Sequence, residues 1–83
     1  MKIQVRYFAS LRETIGLANE TMETSCEDVA SLRRELIARG GAHAEGLAVT
    51  RPVRVAVNQV MAQDSTPLLN GCEVAFFPPV TGG

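Results

Sequence analysis

The chain opens on strict alternation: Lys2, Gln4 and Arg6 are polar, and Ile3, Val5 and Tyr7 between them carry apolar bulk. That period of two predicts a half-buried strand over residues 2–7. Phe8 breaks the pattern. Leu11 and Ile15 follow four apart, which predicts a single helical turn closed by Gly16. A short second strand is expected from Glu20 to Thr24. The period then lengthens, because Val29, Leu32, Leu36 and Ile37 recur at helical spacing and form one apolar stripe. This predicts a main helix of about four turns that starts after Ser25. Ser25 with Asp28 three residues later resembles a capping box, Glu27 and Asp28 suit the positive end of the helix dipole, and Gly40-Gly41 stops the run.

Residues 42–51 show neither period and read as a loop. His43 lies there with no visible acid partner, and Leu47 and Val49 are expected to tuck under the core. Val53, Val55 and Val57 share one face of a strand, and Asn58-Gln59 makes a tight turn because Asn tolerates positive φ. Val60-Met61-Ala62 returns as a short partner strand. Asn70-Gly71 is a strong turn dipeptide, and Glu73 to Phe77 forms the last strand. Pro78-Pro79 ends any ladder, since neither residue has an N–H to donate and each holds φ near the polyproline value. The predicted class is therefore α+β: one main helix packed across a small mixed sheet, with residues 1–77 as the domain. This element order permits a β-grasp arrangement, in which the first and last strands lie side by side in parallel. Residues 78–83 form an extended tail that reaches roughly 20 Å beyond the sheet.

Length and charge narrow the chemistry. The chain has 83 residues, enough for one small core and little room for a deep private active site. Its formal net charge is −1, and only Arg33 and Arg34 are adjacent among its basic residues. A nucleic-acid or anionic-membrane surface needs clustered positive charge, so neither partner is expected. No apolar run approaches bilayer length and Met1 leads straight into a strand pattern, which makes a cytoplasmic protein with reduced thiols the expectation. Cys26 and Cys72 stand far apart without a CxxC pair, and no metal site is expected from them and one His. Cys72 has Glu73 as its nearest charge and reads as inert.

The informative stretch is the end. Two terminal glycines arise by chance in roughly 0.5% of chains, given average glycine usage. Here they follow a strand and a rigid proline pair. The sheet anchors, the prolines aim, and an end without side chains enters a channel too narrow for a Cβ. A terminal carboxylate is ionised and unreactive at neutral pH. Activation by ATP as an acyl-adenylate would make it electrophilic, and a sulfur donor would then leave a thiocarboxylate. The strand alternation sends one of Phe76 and Phe77 away from the core, where an aromatic beside the tail suits a partner interface. Arg12 reads by itself as a solvated surface arginine.

Three segments, Val5-Arg6-Tyr7-Phe8-Ala9-Ser10-Leu11-Arg12-Glu13, Val55-Ala56-Val57-Asn58 and Gly71 through Gly83, resemble the small, sulfur-carrying subunit of molybdopterin synthase. The run Phe-Phe-Pro-Pro-Val-Thr-Gly-Gly is close to a family signature, and Cys72 departs from it where the family has Asp. The resemblance implies a ubiquitin-like β-grasp fold. It implies that an adenylating enzyme similar to the ubiquitin-activating enzyme acts on Gly83, using ATP and magnesium, with no cofactor held permanently by this chain. It further implies that Gly82, Thr81, Val80, Pro79 and Pro78 enter the large synthase subunit and that Phe76, Phe77 and Arg12 contact partners. Two small and two large subunits would form the complex. Sulfur would pass to cyclic pyranopterin monophosphate, with catalytic side chains supplied by the large subunit. Two other uses of a Gly-Gly end remain open: a thiamin-pathway carrier, although those are usually shorter and lack Pro-Pro-Val, and a protein modifier joined through Gly83 to lysines.

Overall fold

The computed structural model describes residues 1–79. Five strands form one mixed sheet: β1 (Lys2–Tyr7), β2 (Asn19–Glu23), β3 (Arg54–Val57), β4 (Val60–Met61) and β5 (Glu73–Phe77), in the order β2-β1-β5-β3-β4. β1 and β5 run parallel with Val5 opposite Val74 and Tyr7 opposite Phe76, and the neighbouring pairs are antiparallel. The first and last strands thus meet at the centre of the sheet, which is the β-grasp arrangement. Three helices, α1 (Ala9–Ile15), α2 (Val29–Ala38) and α3 (Gly41–Leu47), supply the second layer.

The alternation in β1 works as the pattern requires. Ile3, Val5 and Tyr7 are buried and join Val74 and Phe76 of β5, Val55 of β3 and Met22 of β2 in one cluster with Leu11, Ile15, Val29, Leu32, Leu36 and Leu47 of the helices. Turn chemistry sets the connections. Gly16 ends α1 at φ 85°, and its N–H donates to the Arg12 carbonyl at 2.8 Å. Asn58 and Gln59 take φ of 50° and 67° between β3 and β4, and the Asn58 side-chain oxygen accepts from the Glu73 N–H at 2.9 Å, tying that turn to β5. Asn70 in turn accepts from the Lys2 N–H at 2.8 Å, pinning the turn before β5 to the start of β1.

The structure corrects the start of the main helix. Its N-cap is Asp28, whose carboxylate accepts from the Ser31 N–H at 2.8 Å, and the helix covers ten residues, short of the four turns expected. Ser25 lies outside it, and Glu27 and Asp28 precede the first turn. The Glu27 carbonyl accepts from the Leu68 N–H at 2.8 Å and Asp28 bridges to Pro67, so this stretch is held extended by a distant loop. The loop expected over 42–51 is also corrected, because residues 41–47 are helical. Leu47 is fully buried as expected, whereas Val49 is 75% exposed. The signal was weak because Gly41 and Gly46 oppose helix formation. Docking overrides that preference: an added Cβ at Gly46 would stand 3.1 Å from Ile15 Cγ1, so α3 and α1 pack tightly here and a larger residue would press on Ile15. Arg33 of α2 then donates to the carbonyls of Leu47, Ala48 and Arg51 at 2.7, 2.7 and 3.1 Å, which closes the end of α3.

Candidate functional site

Parallel pairing brings the ends of β1 and β5 to the same edge of the sheet. The Phe8 N–H donates to the Phe76 carbonyl at 3.1 Å, so the β1–β5 ladder persists to the last residues of both strands. At this edge β1 turns into α1 through Ala9, whose φ is 53°, and β5 ends at Phe77. Pro78 and Pro79 follow, half-buried and outside any strand. Val80, Thr81, Gly82 and Gly83 lie outside the described residues.

Around this edge the outer face of the sheet, opposite the helices, mixes apolar and charged positions. Arg6, Ala75, Ala56 and Met61 form one row across β1, β5, β3 and β4, and Phe77 pairs with Arg54 in the next row. Ala75 and Ala56 are small and nearly covered, so the centre of the row is flat, while Met61 is 59% exposed. The Arg6 guanidinium lies 5.1 Å from the centroid of the exposed Phe8 ring and 3.5 Å from Glu73. Arg12 on α1 is exposed at the same end of the molecule. The strand alternation therefore resolves the two phenylalanines. Phe77 lies on the outer face, while Phe76, expected at a partner surface, is instead in the core, 1% exposed and stacked on Tyr7 at 6.3 Å. Sequence reasoning missed Phe8 and Met61 as members of this face. Their signal was register, since Phe8 continues the outward phase of Lys2, Gln4 and Arg6.

Behind the same edge lies a polar knot that the sequence reading did not assemble. Glu20 of β2 accepts at Oε2 from the Tyr7 hydroxyl at 2.8 Å, with His43 Nε2 also 2.8 Å from that oxygen, and at Oε1 from Arg39 at 2.6 Å. His43 thus has the acid partner that its local sequence does not show. Burial by itself would raise the Glu20 pKa. Hydrogen bonds from His43, Arg39 and Tyr7 outweigh it and bring the carboxyl down to about 2. Burial first, then the Glu20 carboxylate, pushes the Tyr7 phenol up, so it stays a protonated donor.

The remaining features offer no rival site. Clefts among the described residues are small, one of about 170 Å³ lined by Ala30, Arg33, Arg34, Val49 and Asp64. That is below the usual size for a small-molecule pocket. Cys72 is a free, buried core thiol and Cys26 is free and half-buried. Among the described residues no helix is long and apolar enough to cross a membrane.

A β-grasp body whose final strand lies at the centre of the sheet, with a proline pair leaving beside the uncovered outer face, defines a ubiquitin-like protein. The chain belongs to the ThiS family, whose model matches residues 5–83. It is 38% identical over 81 residues to the molybdopterin synthase sulfur carrier subunit of Escherichia coli, covering 98% of this chain and 99% of the relative. It also matches a chain in the complex of subunits 1 and 2 of molybdopterin-converting factor from Helicobacter pylori, with TM-score 0.69, 26% identity and full coverage of both chains. The small archaeal modifier protein 1 of H. volcanii has TM-score 0.76 at 22% identity, over 95% of this chain and 98% of that one. At that identity the likeness shows the fold alone.

Proposed function

We propose that this chain is a sulfur-carrier subunit of molybdopterin synthase, acting through the carboxylate of Gly83. The observation that carries the reading is that the family match runs through Gly83 on a full-length β-grasp body. An ATP- and magnesium-dependent adenylating enzyme takes the chain end first. A carboxylate oxygen attacks the α-phosphorus of ATP and pyrophosphate leaves. Sulfide-level sulfur, delivered as HS⁻ by a sulfur donor, then attacks the acyl carbon, AMP leaves, the S–H proton is lost to solvent, and the terminus becomes a thiocarboxylate. The large synthase subunit receives this tail and supplies the catalytic side chains that pass sulfur to cyclic pyranopterin monophosphate. The small chain contributes no general acid or base. Its body docks through the outer face, where Phe77, Phe8 and Met61 adjoin the tail's root, and Arg12 meets the activating enzyme.

Incubation with ATP, magnesium, the adenylating enzyme and a sulfur source is expected to exchange one terminal oxygen for sulfur, read by intact-mass measurement. Deletion of Gly83 is expected to abolish the exchange and leave thermal stability unchanged. No mass change in the intact chain with any such activator overturns the reading. Capture of thiazole synthase in place of the large subunit would identify a thiamin-pathway carrier, and a ladder of lysine conjugates on a denaturing gel would identify a modifier.

A further inference from the structure

One carboxylate gathers three donors, and they come from different elements. Glu20 on β2 is held by Tyr7 at the end of β1, by Arg39 just past α2 and by His43 in α3. Oε2 of an ionised carboxylate only accepts, and both Tyr7 and His43 lie against it. His43 must therefore carry its proton on Nε2. The Arg39 guanidinium also reaches Met22 Sδ at 3.8 Å, so the same strand is gripped twice. Both Glu20 and His43 are mostly covered, with 17% of each side chain exposed. This is a partly buried network with both acceptor oxygens engaged, its Arg39 side open to solvent, and such shared hydrogen bonds fix geometry.

The knot reaches β5 through Tyr7. The Tyr7 ring carries the Glu20 bond on its hydroxyl, takes the His43 ring edge-on at 6.0 Å, and lies nearly parallel to the Phe76 ring at 17°. Tyr7 and Phe76 are also register partners, and Phe76 is followed by Phe77 and Pro78. The opposite end of the β1–β5 ladder lacks a comparable side-chain network. Its bonds among the described residues are Gln4 N–H to the Cys72 carbonyl, Gly71 N–H to the Lys2 carbonyl, the exposed Asn70 contact to the Lys2 N–H, the exposed Asn58 contact to the Glu73 N–H and the Arg6–Glu73 pair, none of which shares one acceptor among three donors.

We propose that Tyr7, with the Glu20, His43 and Arg39 groups that orient it, is the positioning residue for the root of the tail: it fixes Phe76 and so the direction in which the chain leaves β5 toward an enzyme's active site. The inference rests on the reading of Gly83 as the reacting group. Tyr7→Phe cuts the link and keeps the ring stack, and Glu20→Gln removes the anion at the centre. Amide hydrogen exchange gives a readout independent of activity. In Tyr7→Phe the Phe8 amide, bonded to the Phe76 carbonyl, is expected to exchange about tenfold faster relative to the Gln4 amide at the far end of the ladder. With the adenylating enzyme, kcat for tail activation is expected to fall by about threefold or more at unchanged KM, because the body docks as before while the end is misaimed. Leu68→Ala, which weakens the core elsewhere, serves as the control and is expected to change both amides together and leave kcat alone. An unchanged Phe8-to-Gln4 exchange ratio in both knot variants overturns the proposal, as does a wild-type kcat in Tyr7→Phe. If the wild-type chain itself is not adenylated, the function reading fails, and the exchange arm still decides whether the knot fastens the root.

Discussion

At the scale of single residues, the proposed chemistry falls to Gly83, while the described residues hold one heavily engaged carboxylate, Glu20. The glycines and prolines of the tail are readable in the sequence because backbone freedom and rigidity are local properties. Glu20 is different, since its partners lie 13, 19 and 23 positions away. A signal existed nonetheless: Glu20 shares a face of β2 with the buried Met22 and pairs with Val5, and an acid at an inward strand position needs donors. Its pH consequence has a definite sign. The folded pKa of about 2 is below the ordinary 4.5, so the stabilisation is complete above pH 4.5 and is lost as pH falls toward 2. Urea unfolding across that range is expected to show the loss in the wild-type chain and a flatter dependence in Glu20→Gln.

At the scale of elements, the periodic segments were legible and the docked one was not. β1 and β3 follow from period-two alternation, β5 from a run of strand formers after the Asn70-Gly71 turn, and the body of α2 from a stripe whose residues are all buried or packed against the core. α3 has no stripe. It is helical because Gly46 lies against Ile15, Leu47 fills the core and Arg33 closes the end. Gly46→Val tests this. The branched side chain would be forced onto Ile15 Cγ1 and Cδ1, which already stand 3.1 and 3.3 Å from a bare Cβ. Overpacking of this kind is expected to cost about 1–3 kcal/mol and to lower Tm. Gly46→Ala is expected to cost less, because a gain of up to about 1 kcal/mol in helix propensity offsets the crowding. The start of α2 shifted for a related reason: the 27–28 segment gives its backbone groups to the loop at 67–68, a competition that no local capping pattern reveals.

At the scale of the whole molecule, the helices cover one face of the sheet and leave the other open, the face proposed above for docking. That face joins Arg6 and Phe8 from β1 and its end, Met61 from β4 and Phe77 from β5. Met61→Glu is expected to leave stability within about 0.5 kcal/mol of wild type, as exposed substitutions do. The same change is expected to weaken binding to the large synthase subunit by at least about tenfold, measured by calorimetry, because it places a charge in the contact.

The sequence by itself determined where strands and turns fall, that one amphipathic helix covers the sheet, and that a side-chain-free end follows a proline pair. Each of those is set by neighbours a few positions apart, through φ preferences and the two periods of side-chain direction. Only the tertiary structure decided that residues 41–47 are helical, that Phe76 belongs to the core and Phe77 to the outer face, and that Glu20, Tyr7, Arg39 and His43 meet. Those outcomes depend on which distant surfaces come together, because packing, desolvation and shared hydrogen bonds arise between elements and leave only a faint mark within any one of them.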